Sequence, residues 1–245
     1  MGIELVVLDI DGVLTQGEAK GLDLDLMATL AGLNRRARQS SDAPGVTVCS
    51  GRPAPYVEAI LQAIDGHIPA VFENGAGLYL PLTYEFLSHP AARAANVFAE
   101  AKQRLLATLV ASGLAFVQPG KEYTLTLFAT DASETSLLYP RAADALGPLT
   151  EEVALVYSTS CLNVLPRGVD KGQGIAFLSE RSGIPADRML GIGDSDVDLP
   201  FLACVGKSAA PSNANPSIKE IVDYVSTQPT SHGVRDILSR FEVLP

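Results

Sequence analysis

LVVLDIDGVLT, residues Leu5 to Thr15, decides how the rest of the chain is read. Leu5, Val6, Val7 and Leu8 form a short, uncharged, branched run, which suits a strand buried on both faces of a parallel sheet better than a half-exposed hairpin. Side chains alternate along a strand, so Asp9 and Asp11 share one side of its end while Ile10 points away. In open α/β sheets, ligands gather where the strands' carboxyl ends meet the following loops. Two carboxylates so close repel each other unless a cation or a shared proton relieves them. The plain alternative, that one of them only caps the turn before Gly12, explains a single acid better than a pair.

The bulk composition narrows the classes. With 245 residues, 47% of them hydrophobic, the chain can form one large domain or one domain carrying an insertion. A net charge of −10 argues against a nucleic-acid surface or an anionic membrane and leaves room for a local basic pocket holding a small phosphorylated partner. Cys49, Cys161 and Cys204 show no metal-ligand spacing and are expected to be reduced core residues of a cytoplasmic protein. Glu4 and Asp9 break the apolar run that a secretory peptide needs, so no targeting segment is expected. The longest candidate membrane span, Leu105 to Val117, contains Ser112 and Gly113 and is too short to cross a bilayer. Oligomeric state is not legible.

Outward from the opening strand, Leu22, Leu26, Leu30 and Leu33 predict a helix from Leu22 to Gln39. A strand from Val46 to Cys49 ends in Ser50, Gly51 and Arg52, and Pro53 opens a helix carrying Val57, Ile60, Leu61 and Ile64 on one face. A third strand, Ile68 to Phe72, runs into Glu73, Asn74, Gly75 and Ala76. Strand and helix in alternation predict a doubly wound parallel (Rossmann-like) sheet.

The rhythm changes over residues 81–165. A helix from Ala91 to Ser112 is expected, then strands Leu114 to Val117 and Tyr123 to Phe128, a helix from Ser133 to Leu146, and strands Val153 to Ser158 and Leu162 to Leu165. Tyr123, Leu125 and Leu127 alternate with Thr124 and Thr126, which predicts a sheet wet on one face. The reading is an inserted α+β cap domain, with residues 1–80 and 166–245 forming the core. Beyond Pro166 the first rhythm returns: a helix from Lys171 to Ser182, a strand from Met189 to Ile192 with the tip GDSDVD at Gly193 to Asp198, a helix near Leu199 to Ala203, a strand near Cys204 to Gly206, and helices Pro216 to Ile221 and Gly233 to Phe241.

Three strand tips thus offer Asp9 with Asp11, Ser50 with Gly51, and Asp194 with Asp198, and Lys171 falls between them. Carboxylates from separate strands suit a hard cation such as Mg²⁺, which keeps few protein ligands beside water and substrate phosphate. A hydroxyl, helix-start N–H groups and a lysine suit a phosphate dianion. The combination points to phosphoryl chemistry, in which one aspartate attacks phosphorus and another carboxyl moves the proton. Singly these signals are ordinary, since Ser-Gly-Arg occurs by chance and a lone lysine is usually a solvated helix residue. Only the ordered set is specific.

DIDGVLT at Asp9 to Thr15, Ser50-Gly51-Arg52, Lys171-Gly172 and GDSDVD at Gly193 to Asp198 resemble the four ordered motifs of the haloacid dehalogenase superfamily of aspartyl-phosphate phosphatases. The insertion resembles that superfamily's second cap type, found in the Cof-like group with its sucrose-phosphatase-like, phosphoglycolate phosphatase and phosphomannomutase members. The resemblance implies that Asp9 is the nucleophile and a Mg²⁺ ligand, and that Asp11 is the general acid/base with a carbonyl on the metal. It implies that Ser50 and Lys171 hold the phosphoryl group, that Asp194 ligates the metal, and that Asp198 supports it directly or through water. Gly51, Arg52, Asn74 and Asn213 match substrate-side positions. Val197 departs from the asparagine usual before the last aspartate, which alters the surroundings of the metal loop, and Ser50 replaces the commoner threonine.

The implied activity is a Mg²⁺-dependent phosphatase of a small phosphorylated metabolite, a sugar phosphate or a phosphoglycolate-like acid. A phosphomutase, a receiver-like phosphoacceptor module and a binding protein without turnover are the competing classes, and the receiver has no use for the insertion or the GDSDVD loop. Asp196 is read as a surface residue, and His67, His89 and His232 as structural or solvent-facing. Lys121, Glu122 and Tyr123 stand in a loop before a strand, where a substrate contact and an ordinary solvated turn both fit.

Overall fold

A computed structural model describes residues 2–40, 42–93, 96–158 and 160–244. The opening run forms strand β1 (Leu5–Leu8), buried along its whole length. Helix α1 (Leu24–Ala37) starts at Asp23, whose carboxylate accepts the Leu26 N–H at 3.0 Å and so caps the first turn. Strand β2 (Gly45–Val48), helix α2 (Ala54–Ala63) and strand β3 (Ala70–Phe72) follow.

The chain then reverses through Glu73, Asn74 and Gly75, which take φ values of 48°, 57° and 99°. Three successive left-handed residues are uncommon, and two of them carry side chains that make this conformation costly. The reversal leads into a hairpin of β4 (Gly77–Leu80) and β5 (Glu85–Ser88) that sequence reading did not anticipate and that spans the expected boundary at residues 80 and 81.

Helices α3 (Pro90–Arg93) and α4 (Asn96–Leu105), the latter continued by a wide turn over Leu106–Val110, stand where one long helix is expected. Residues 94 and 95 of that expectation lie outside the described residues. Strands β6 (Ala115–Val117) and β7 (Leu125–Ala129), helix α5 (Leu138–Leu146), and strands β8 (Val153–Tyr157) and β9 (Cys161–Pro166) complete the insertion. Helix α6 (Lys171–Ser182), strand β10 (Met189–Ile192), helix α7 (Leu199–Leu202), strand β11 (Lys207–Ala210), helix α8 (Pro216–Lys219), strand β12 (Tyr224–Val225) and helix α9 (Thr230–Arg240) return the chain to the first module.

The first module is built on a five-stranded, all-parallel sheet in the order β12-β11-β10-β1-β2. Its register sets the site: Leu8 lies level with Ile192 on one side and Val48 on the other, so the residues after all three strands emerge at one edge. Strand β3 runs beside β2 but meets it at a single bridge, Cys49 to Val71, and pairs antiparallel with β4. Pro69 has no N–H for a ladder bond, and its carbonyl is taken instead by the Thr47 hydroxyl at 2.7 Å. The strand expected at Cys204 to Gly206 lies later, at Lys207–Ala210. Its serine and alanines give little β signal, and residues 203–206 are the turn leaving α7. Among the cysteines, Cys49 and Cys161 are buried as expected, whereas Cys204 in that turn is exposed.

In the inserted module, α4 and α5 cover one face of an antiparallel sheet in the order β6-β7-β9-β8, and Leu105, Leu125, Leu127, Leu138 and Leu162 fill the space between. The opposite, polar face of this sheet is not wet. Thr124 and Thr126 are buried because that face lies against the parallel module. Glu73 provides the main polar fastening. Its carboxylate accepts the N–H groups of Glu122 (2.9 Å), Tyr123 (3.0 Å) and Thr124 (2.9 Å), and the Thr124 hydroxyl (2.9 Å). Ser160 donates to Glu18 at 2.8 Å as a second contact between the modules. No helix among the described residues is long and apolar enough to cross a membrane.

Two contacts yield tests of this architecture. Asn34, fully buried on α1, donates to the Ile64 carbonyl at 2.9 Å and accepts from the Val46 N–H at 2.8 Å, tying α1, β2 and the end of α2 together. Asn34→Leu strands two buried backbone groups and should lower unfolding free energy in urea by about 3 kcal/mol. Glu73→Ala removes four charge-assisted bonds at once, and native-state hydrogen exchange at the amides of Glu122, Tyr123 and Thr124 should quicken by about tenfold or more, with β1 and β10 unchanged.

Candidate active site

The level ends of β1, β2 and β10 deliver Asp9, Ser50 and Asp194 to one crevice beneath the inserted module. Helix α6 adds Lys171 as its first residue, after Asp170 caps the helix by accepting the Gln173 N–H at 2.8 Å. Lys171 is 1% exposed, and its ammonium lies 2.8 Å from Asp9 Oδ1 and 2.5 Å from Asp198 Oδ1. Burial works against that ammonium, but the Asp198 and Asp9 carboxylates outweigh it and hold its pKa above the ordinary lysine value.

Asp198 is fully buried and spends its second oxygen on the N–H groups of Asp194 (2.9 Å) and Ser195 (3.0 Å). It therefore locks the loop that presents Asp194. That loop also needs Gly12: a Cβ there would come within 2.0 Å of Asp194 Oδ2, and Gly12 has φ +79°. The Asn213 amide braces the same place, donating to the Gly12 carbonyl at 2.9 Å while its oxygen accepts the Thr230 N–H at 2.8 Å.

One carboxylate oxygen from each of Asp9, Asp194 and Asp198 lies within 4.8 Å of the others. Burial pushes the Asp9 pKa up to about 7 and that of Asp194 up to about 9, the latter helped by the neighbouring carboxylates. Lys171 alone does not neutralise this group. Asp194 Oδ1 is buried without a hydrogen-bond partner among the described residues. An all-oxygen donor set with excess negative charge and one orphaned carboxylate oxygen suits a hard divalent cation, which would keep both aspartates ionised.

Asp11 stands at the edge of this cluster with both oxygens engaged. Arg52 Nε donates to one at 2.7 Å and Nη2 to the other at 2.6 Å, a fork-on-fork pair, and the guanidinium lies 4.8 Å above the centre of the Tyr56 ring. Ser50 is buried, with its hydroxyl accepting the Arg52 N–H at 3.2 Å. Gly51 leaves room for Asn74, whose amide would lie 2.9 Å from a Cβ there. Asn74 points across to Asn163 of the inserted module, at 3.5 Å.

Asp9, Asp11, Ser50, Gly51, Arg52, Asn74, Lys171, Asp194 and Asn213 line one cavity of about 330 Å³, and the buried Asp198 does not reach its surface. Asp196 is exposed and bonded to Ser217, as a surface residue. Cys49, beside Ser50, is buried, and burial pushes its thiol pKa up, away from nucleophilic use. Of Lys121, Glu122 and Tyr123, for which the sequence fits both a substrate contact and a solvated turn, Lys121 lines the cavity and the other two do not; sequence reading missed Glu18, Thr126, Ser160 and Asn163. For Thr126 the polar alternation of its strand was the available signal; Glu18 and Ser160 carried none.

Residues 114–238 match the family model of the haloacid dehalogenase-like hydrolases. A phosphoglycolate phosphatase from Methanopyrus kandleri is 30% identical over 237 residues, covering 96% of each chain. Among solved structures, one from Thermoplasma acidophilum superimposes with a TM-score of 0.73 at 21% identity over 99% of this chain and 100% of its own. The Synechocystis sucrose-phosphatase, solved with sucrose and phosphate, superimposes at 0.68 and 16% identity over 99% of both. At these lower identities the likeness is one of fold, a parallel core with a cap. With a full-length relative at 30% identity and a family match over the second half of the sequence, the chain belongs to the haloacid dehalogenase-like hydrolases.

Proposed function

We propose that this protein is a Mg²⁺-dependent phosphatase of a small phosphorylated metabolite, a sugar phosphate or a phosphoglycolate-like acid, acting through a phosphorylated Asp9. The observation that carries the reading is the buried Asp9–Lys171–Asp198 cluster beside the orphaned Asp194 oxygen, roofed by a cap. Phosphoglycolate is the substrate named for the Methanopyrus relative, and sucrose and phosphate are the ligands of the Synechocystis enzyme.

In this reading Asp9 attacks phosphorus, the bond from phosphorus to the leaving oxygen breaks, and Asp11 delivers the proton to that oxygen. Asp11 then takes a proton from water, whose oxygen attacks the phosphoryl group, releases inorganic phosphate and restores Asp9. Asp9, Asp194, Asp198 and the Asp11 carbonyl would hold Mg²⁺, which when bound offsets charge on the phosphoryl oxygens. Lys171 orients Asp9 and favours its ionised form against the effect of burial, and Ser50 with Gly51 contacts the transferring group. Asn74 meets the substrate side, and Asn213 supports the Gly12 turn from the phosphate side.

The Arg52 fork occupies both Asp11 oxygens, so it has to open before Asp11 reaches a leaving group. An incoming phosphate dianion is the natural alternative partner for the guanidinium. Closure of the cap over the substrate would exclude water from the reacting centre, a need that a phosphoacceptor signalling module lacks.

Asp9→Asn should abolish release of inorganic phosphate from a generic phosphomonoester while circular dichroism stays unchanged, and retained turnover would overturn the mechanism. Mg²⁺ should raise the melting temperature of the wild type, and that rise should vanish in Asp194→Asn, a readout independent of activity. Arg52→Lys keeps the charge but loses the fork. It should lower kcat/KM by about 10- to 100-fold, in line with the strength of charge-assisted hydrogen bonds.

A further inference from the structure

Arg52, Lys121 and Lys171 are the basic residues lining the cavity. Two of them are spoken for: Lys171 lies between Asp9 and Asp198, and Arg52 grips Asp11. Lys121 makes no salt bridge among the described residues. Its ammonium donates to the Thr126 hydroxyl, which in turn donates to Asn163 Oδ1 at 2.7 Å, so a neutral oxygen holds the cation in place and leaves other N–H donors free. Burial drives the Lys121 pKa down to about 8, against the pull of Glu73.

The backbone beside Lys121 is not a loose turn. Glu73 of the core accepts the N–H groups of the next three residues, 122 to 124, so the loop carrying the lysine is fixed relative to the strand tips. An ammonium held partly dry, without a salt-bridge partner among the described residues and lining the same cavity as Asp9, is a costly arrangement that an anionic ligand would relieve.

We propose that Lys121 is a specificity-determining residue that binds a carboxylate at the end of the substrate remote from its phosphoryl group, selecting small phosphorylated hydroxy acids over neutral phosphate esters. This rests on the phosphatase reading above and deepens it. A single uncommitted cation matches the single charge of a carboxylate. A second phosphate group fits less well, because Glu18 contributes a carboxylate to the same cavity, held there by the Ser160 hydroxyl at 2.8 Å. The volume of about 330 Å³ has room for a two- or three-carbon acid with its phosphate, so the discrimination has to come from charge.

The test compares kcat/KM for 2-phosphoglycolate, for its uncharged counterpart 2-hydroxyethyl phosphate, and for glucose 6-phosphate and 2,3-bisphosphoglycerate, using the full chain with Mg²⁺. The wild type should prefer 2-phosphoglycolate over 2-hydroxyethyl phosphate by about tenfold or more, the worth of a charge-assisted hydrogen bond. Lys121→Met should erase that preference, chiefly through KM, and Lys121→Arg should restore most of it. A merely structural lysine would lower both substrates together and leave their ratio intact, which would overturn the proposal. So would a wild-type preference for glucose 6-phosphate or the bisphosphate. The same ratio read as equilibrium binding to Asp9→Asn, with and without Lys121→Met, does not depend on turnover. A protein that hydrolyses none of the esters yet binds 2-phosphoglycolate through Lys121 would sink the phosphatase reading and keep this one.

Discussion

A buried lysine ammonium wedged between two aspartates is the interaction on which the rest of this structure depends. Asp9, Lys171 and Asp198 come from β1, the start of α6 and the loop after β10, so one cation joins segments far apart in the chain. Removing Lys171 would leave the two aspartates buried beside each other with unmatched charge, a state costing several kcal/mol. The cluster still carries more negative than positive charge, an imbalance that a further cation beside Asp194 would offset. Structural necessity and chemistry here have the same source, since the charges that hold the loop together are those a phosphoryl group would meet.

The second constraint acts between modules. Glu73 sits in a left-handed turn that costs conformational energy, and the carboxylate it projects collects three backbone N–H groups and a hydroxyl from the opposite module. The turn is also tied to the crevice, because the Asn74 N–H donates to the Ser50 carbonyl and the Glu73 N–H to the Arg52 carbonyl. The position of the cap is thereby referred directly to the Ser50–Arg52 segment. A polar sheet face that reads as solvated in sequence is instead the roof of the cavity.

Much of this was legible in one dimension. Branched runs at Leu5–Leu8 and Met189–Ile192 identify buried parallel strands, and acids at their tips identify the crevice, because strand polarity and side-chain alternation are local properties. The weaker elements escaped for reasons equally local. Strand β11 is made of Lys, Ser and Ala, which carry little β preference, and the hairpin after Gly75 depends on a reversal that only three left-handed residues allow.

The sequence by itself determined the chemistry on offer: two aspartates on one strand tip, a hydroxyl on the next, a lysine and two more aspartates after an insertion, in an order that resembles one family. Only the tertiary structure decided how those groups are paired. It gave Lys171 to Asp9 and Asp198, Arg52 to Asp11, the Asn213 amide to the Gly12 carbonyl and Glu73 to the cap; among the described residues it left Lys121 without a salt bridge and Asp194 Oδ1 without a hydrogen-bond partner. The reason is physical. Periodicity reports which face of an element is buried, whereas the partner of a buried charge is set by the register and docking of elements that may be a hundred residues apart, and that information exists only once the chain has closed on itself.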